Sequence, residues 1–148
     1  DDLTKHAIIG EGTFGQVWLV SRTSSTGMER AYALKVQLKA ELVQKEQAKG
    51  VVREKLVMTE LRHSFIARLV ASFQDDRFLY MLMDLLQGGE LSNITHSAAE
   101  EHLTAEETSL YATGILEGLT YMHQLGYVYR DLKPQNMLIN NKGYPCYC

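Results

Sequence analysis

The sequence predicts an α+β fold in which a small antiparallel sheet comes first and helices follow. Three observations carry that prediction. Short strand-like apolar runs recur in the first 84 positions, alternating around a glycine cluster at 6–20 and again at 31–36, 66–73 and 78–84. Gly88-Gly89 then breaks the chain, as paired glycines do. Beyond the break, Thr104 and Glu107 form a capping box ahead of an apolar stripe at helical spacing. With 45% hydrophobic residues in 148, the chain can bury the core of about one domain.

Residues 6–20 read as two strands joined by a tight glycine turn, with Ile8, Ile9, Val17, Leu19 and Val20 as apolar members. A polar loop at 22–30 leads to a third strand, Ala31-Tyr32-Ala33-Leu34-Lys35-Val36, which carries one charge among apolar neighbours. From Glu41 to Leu61 the period becomes helical, and Gly50 with Val51-Val52 predicts a break into two pieces. Two further strands are expected at 66–73 and 78–84, around the polar turn Gln74-Asp75-Asp76-Arg77. Residues 90–102 are mixed and polar, read as a short helix and a loop. The stripe of Leu110, Tyr111, Gly114, Ile115, Leu119 and Met122 marks a long helix ending near Gly126.

Composition excludes several classes. A net charge of −3 lacks the basic excess of a nucleic-acid binder. No apolar run approaches the roughly 20 residues of a membrane span, and the first residues do not follow a signal peptide's layout. A cytoplasmic protein is the expectation. Cys146 and Cys148, with no His or Cys partners nearby, argue weakly for zinc. A chain that starts without Met and stops at Cys148 reads as an excerpt of a longer protein.

Chemistry concentrates in a few places. Residues 127–138 read Tyr-Val-Tyr-Arg-Asp-Leu-Lys-Pro-Gln-Asn-Met-Leu. There Asp131 can accept a hydroxyl proton, Lys133 can neutralise phosphate and Asn136 can hold a metal. Gly10-Glu11-Gly12-Thr13-Phe14-Gly15-Gln16-Val17 lies between strands, where absent side chains let backbone amides approach phosphate oxygens. An ordinary glycine hairpin looks the same. A dinucleotide site requires a helix straight after the glycines, and here a strand follows. Lys35 comes twenty residues after Gly15, and Glu54 nineteen after that, on a helix from which it can turn inward to pair with Lys35. Glu46 and Glu60 compete for that pairing, and a snorkelling surface lysine is the ordinary alternative. Backbone groups from Asp84 to Leu86 can meet a base edge, although a plain linker reads alike.

Taken in order, these motifs resemble a eukaryotic Ser/Thr protein kinase. The residues that carry the likeness are the glycine run, Ala33-Leu34-Lys35, Leu79-Tyr80-Met81-Leu82-Met83, Gly88-Gly89-Glu90-Leu91 and Tyr129-Arg130-Asp131-Leu132-Lys133-Pro134. The resemblance is narrower still to the AGC group, nearest its cGMP- and cAMP-dependent members, of which Tyr129 in place of His is a mark. It covers nearly all of this chain but only about half of a kinase domain. It implies a protein-kinase-like α+β fold, with a sheet lobe at 1–84, a hinge at 85–90 and the start of a helical lobe at 91–148.

It also implies roles. The glycine loop, Gly10, Gly12 and Gly15 within it, would cover the ATP phosphates. Lys35 would contact the α- and β-phosphates, with Glu54 bracing it. Ile9, Val17, Ala33, Met83 and Leu138 would line the adenine slot beside the backbone at Asp84 and Leu86. Asp131 would be the catalytic base, Lys133 would stabilise the moving phosphoryl group and Asn136 would bind Mg2+. Met58, Leu69 and Tyr129 would belong to an internal hydrophobic column. The implied partner is a protein substrate with basic residues near its target hydroxyl, and Glu90 would contact either ribose or an arginine.

The likeness fails in two places. Gln135 stands where close relatives carry Glu, which weakens the basic preference. Pro145-Cys146-Tyr147-Cys148 ends the chain where the family continues into Asp-Phe-Gly, and Pro145 removes a strand donor, so these four residues read as altered. The 148-residue polypeptide is therefore expected not to phosphorylate peptides, its helical stripe is expected to lie exposed, and the alternative function is a non-catalytic nucleotide-binding or interaction module.

Overall fold

The computed structural model describes residues 3–12, 15–95 and 103–148. The chain forms two compact units, and residues 61–67 belong with the second.

The first unit is a five-stranded antiparallel sheet with two helices. Its strands are β1 (Leu3–Gly12), β2 (Gly15–Thr23), β3 (Glu29–Leu38), β4 (Leu69–Gln74) and β5 (Phe78–Asp84), in the order β1-β2-β3-β5-β4. The first two strands run longer than the apolar pattern alone predicted, because they pair with each other from Leu3↔Arg22 to Gly12↔Gly15 and β2 pairs with β3 from Thr23↔Glu29 to Gly15↔Gln37. One face of the sheet is closed by Val20, Tyr32, Leu34 and Leu82, with Trp18, Val36 and Tyr80 packed around them. Alternation along β3 puts Ala33, Lys35 and Gln37 on the opposite face, where Lys35 meets the second helix.

The helices are α1 (Lys39–Gln44) and α2 (Ala48–Glu60). Two pieces form as predicted, but the break lies at residues 45–47 and Gly50 sits inside α2. The reason is a hydrogen-bonded stop that the apolar pattern does not encode. Gln47 N–H donates to Leu42 O and Glu46 N–H to Val43 O, closing α1 with a Schellman motif whose left-handed residue is Glu46, at φ 55°. Gly50 costs α2 about 1 kcal/mol relative to Ala, too little to split a helix packed on a sheet.

The second unit contains α3 (Leu91–Thr95), α4 (Ala105–Gln124), a 3-10 turn (Pro134–Asn136), β6 (Met137–Ile139) and β7 (Pro145–Tyr147). The predicted mixed segment thus yields α3, while residues 96–102 lie outside the described residues. The capping box is present: Glu107 N–H donates to Thr104 Oγ1, and Thr104 N–H to the Glu107 carboxylate. The bonds it accepts from Thr104 N–H and from the Thr104 hydroxyl hold the Glu107 carboxyl below its usual value. At the other end Gly126, at φ 80°, closes α4 through Tyr127 N–H to Met122 O.

Two expectations are corrected here. Pro145 starts a buried strand instead of spoiling one. Ile139, its partner in β6, sends its N–H to Gly89 O and accepts from Gly88 N–H, so the position opposite Pro145 asks for no donor. The α4 stripe, predicted to be bare, is mostly covered: Gly114 and Met122 are buried and Tyr111, Ile115 and Leu119 half-buried. Leu110 and Leu116 remain exposed. Pro145 and Tyr147 do much of the covering, because added Cβ atoms on Gly114 and Gly118 would lie 2.9 Å from Pro145 Cγ and 2.5 Å from Tyr147 Cε2. Tyr147 Oη donates to Ile115 O at 2.6 Å, its N–H donates to Phe65 O, and its carbonyl accepts from Ala67 N–H. Burial pushes the Tyr147 phenol up to about 12.

Candidate active site

The glycine hairpin is held in register by Gly10↔Val17, Glu11↔Gln16 and Gly12↔Gly15. At Gly15 a side chain is impossible, since a Cβ would collide with Val36 O. The tip, Thr13-Phe14, lies outside the described residues. Val17 stands directly across from Lys35, and Ala33 across from Met83. Ile9 is exposed, Ala33 buried, and Val17 and Met83 half-buried.

Lys35 Nζ lies 2.7 Å from Glu54 Oε1. The three-way choice among acids is thereby decided: Glu46 sits in the turn between the helices and Glu60 at the end of α2, whereas Glu54 is one turn and a half back on the face toward β3. The side chains are 30% and 37% exposed, so the pair is accessible to a ligand and worth less than about 1 kcal/mol of stability. It positions the ammonium under the glycine strands, which is its chemical use.

At the end of β5, Asp84 gathers two guanidiniums that the sequence did not point to. Its carboxylate takes Arg68 Nε at 2.9 Å and Arg30 at 3.1 Å, and its N–H donates to Arg68 O at 3.1 Å. The hydrogen bond from Arg68 and the charge of Asp84 hold that guanidinium above its usual value. Separations of 16 and 54 residues leave no local signal by which such a network could be found. Met58 and Leu69 also belong to this unit, half-buried and buried.

In the second unit the predicted trio converges. Asp131 Oδ2 receives Lys133 Nζ at 3.0 Å and Asn136 Nδ2 at 2.7 Å, while the same amide also donates to Asp131 O at 2.9 Å. The 3-10 turn makes this possible, with Pro134 at its start and Asn136 N–H bonded to Lys133 O. Arg130 enters it at φ 65°, an uncommon conformation for a residue with a side chain. The bond from Lys133, then that from Asn136, holds the Asp131 carboxyl below the usual carboxylate range. Asn136 turns its amide nitrogen to Asp131 and keeps Oδ1 as its acceptor.

Around the trio, Tyr129 stacks edge-on against Tyr147 at 4.9 Å and its hydroxyl donates to Cys148 O. Leu138 is half-buried in β6 and bridges to Glu90. The Glu90 carboxylate accepts from Ser92 Oγ at 2.6 Å, and Leu86 is half-buried. Among the described residues no three His, Cys, Asp or Glu side chains gather as a metal site. The oxygens of Asn136 and Asp131 suit a hard cation that takes its remaining ligands from phosphates. No described helix is long and apolar enough to cross a membrane.

The protein kinase domain family matches residues 3–146. Serine/threonine-protein kinase ppk22 of Schizosaccharomyces pombe is 34% identical over 140 residues, 95% of this chain and 26% of that protein. Ribosomal protein S6 kinase alpha-3 of Homo sapiens is 35% identical over 93% of this chain and 18% of its own length. The cAMP-dependent protein kinase catalytic subunit of Dictyostelium discoideum is 37% identical over 93% and 20%. The chain spans about a quarter or less of each of these relatives. The three identities are nearly equal, so they do not set a cyclic-nucleotide-dependent branch apart.

Proposed function

Because this chain belongs to the protein kinase domain family, we propose that it serves ATP-dependent transfer of a phosphoryl group to Ser or Thr hydroxyls of proteins. The observation that carries this reading is the Lys35–Glu54 contact of 2.7 Å beside the glycine hairpin. It gives a fixed cation and backbone amides together, the two things a polyphosphate needs.

In this reading Gly10, Gly12 and Gly15 bring backbone N–H groups to the phosphates, and Lys35, braced by Glu54, holds the α- and β-phosphates. Ile9, Val17, Ala33, Met83 and Leu138 contact the adenine, and backbone groups at Asp84 and Leu86 meet its edge. Asp131 orients the acceptor hydroxyl and takes its proton as the oxygen bonds to the γ-phosphorus and the bond to the departing ADP breaks. The bonds from Lys133 and Asn136 favour the ionised carboxylate, the form that accepts a proton. Lys133 offsets charge on the moving group. Asn136 would hold Mg2+ through Oδ1, and the ion would supply further charge neutralisation.

Several finer assignments belong to the same proposal. Placement in the AGC group is supported by the motifs, and a cytoplasmic location and a preference for basic residues near the target through Glu90 are further parts of the proposal. No acidic residue follows Asp131 in this sequence, so the 148-residue polypeptide on its own is expected to bind nucleotide without sustained turnover.

Calorimetric titration with MgATP tests the reading. Binding should be saturable and should weaken by about tenfold or more in Lys35→Met, the loss of a charge-assisted phosphate contact. Equal affinity of wild type and Lys35→Met, or no binding by a folded wild type, overturns it.

A further inference from the structure

Ser92, in the first turn of α3, is only 8% exposed and donates its hydroxyl to Glu90 Oε2 at 2.6 Å. That length lies in the range of an O–H···O⁻ bond to a charged carboxylate, which is stronger than a neutral bond. A polar residue just ahead of a helix ordinarily turns its side-chain oxygen to the backbone N–H groups of the first turn. Here the backbone does that work, since Asn93 N–H bonds to Glu90 O, and the carboxylate accepts from Ser92 instead. A buried hydroxyl bonded to a half-buried carboxylate fixes the direction in which that carboxylate points.

The backbone beneath is equally fixed. Glu90 bridges to Leu138, and beside it Gly88 N–H bonds to Ile139 O and Ile139 N–H to Gly89 O, both at 2.8 Å. At Gly88 no side chain fits, because an added Cβ would lie 2.6 Å from Ile139 Cβ. Glu90 is thus locked to β6, the strand that continues directly from Asn136. A nucleoside triphosphate carries its ribose between base and phosphates. Glu90 is held beside the stretch from Asn136, read above as the metal ligand, to Leu138, read above as a contact of the base.

Two donors suit Glu90, a ribose hydroxyl and an arginine. A guanidinium fork needs both carboxylate oxygens at once, and Ser92 already holds Oε2. Oε1 is left for a single donor, which is what a sugar hydroxyl supplies.

We propose that Ser92 is a positioning residue that turns Glu90 Oε1 toward a ribose hydroxyl of the bound nucleotide. This assignment rests on the nucleotide reading above and adds to it the group that sets the direction of Glu90. A basic residue of the substrate is left a single N–H contact with Glu90 in place of a fork.

Calorimetric titration of the 148-residue chain with MgATP and with the Mg2+ complex of 2′,3′-dideoxy-ATP provides the test. ATP should bind about tenfold more tightly, the worth of one hydroxyl bonded to a charged acceptor. Ser92→Ala should lower that preference to about threefold or less by weakening ATP alone, whereas a merely structural loss would weaken both nucleotides together. Ser92→Thr keeps the hydroxyl and should retain the preference. Equal binding of the two nucleotides to wild type, a preference undiminished in Ser92→Ala, a parallel loss for both nucleotides, or a folded Ser92→Thr without the preference overturns the assignment and leaves the nucleotide reading in place. No binding of either nucleotide to the folded wild type overturns the nucleotide reading, and the assignment with it.

Discussion

Asp131 is held by two donors, Lys133 Nζ and Asn136 Nδ2, and their effect on its carboxyl can be measured. Its carboxyl should titrate below the ordinary carboxylate value in a 13C-detected pH series. Lys133→Met and Asn136→Ala should each raise the midpoint, and an unchanged midpoint in both would contradict the contacts described above. The sign for stability follows from the depression. Any contribution of the cluster is complete above the unfolded carboxylate's value and fades as pH falls through the lower folded value. The Asp-x-Lys-x-x-Asn spacing made this trio legible, because a tight turn brings residues so close in sequence together. The burial of Gln37 was not legible, since a glutamine beside a lysine in a strand reads as solvated surface until the facing helix is known.

The pairing of α4 with β7 rests on two absent side chains. Alanine in place of a helical glycine ordinarily stabilises by about 1 kcal/mol. Gly118→Ala should do the opposite, because its Cβ would sit 2.5 Å from the Tyr147 ring and overpacking a buried contact costs roughly 1–3 kcal/mol. Urea unfolding should show the loss, and adding Tyr147→Leu should make the Gly118→Ala step neutral or favourable. A destabilisation unchanged in the Leu background would place its cause elsewhere. In the sequence Gly114 counted as one member of the apolar stripe and Gly118 carried no signal. That they form a notch for Pro145 and Tyr147, residues more than 25 positions away, depended on a strand that the proline had argued against.

Each unit encloses its own core, and the first is graded from the centre of its sheet outward. β2, β3 and β5 have a hydrogen-bonded neighbour on both sides, whereas β1 and β4 are edges. Val20, Leu34 and Leu82, on the central strands, are almost fully buried. Hydrogen exchange should therefore be slowest at amides of β2, β3 and β5, with β1 and β4 opening at lower free energy. Slower exchange in β1 than in β3 would contradict this ranking. The net charge of −3 is carried by a molecule that leaves Val43, Val52, Leu56 and Phe73 exposed in the first unit and Leu116, Val128 and Leu132 in the second.

The order of strands and helices, the α4 cap and the Asp131–Lys133–Asn136 cluster could be read from the chain, because each is set by near neighbours: alternation, a four-residue box, a turn. The choice of Glu54 over Glu46 and Glu60, the stop at Glu46 instead of Gly50, the Arg30–Asp84–Arg68 network and the seat of Pro145 could not. Each of these is settled by partners far away in sequence or by a hydrogen bond that no hydrophobic period records. Burial of Gln37 has the same origin. A one-dimensional pattern reports which residues prefer water, whereas packing decides which of them lose it.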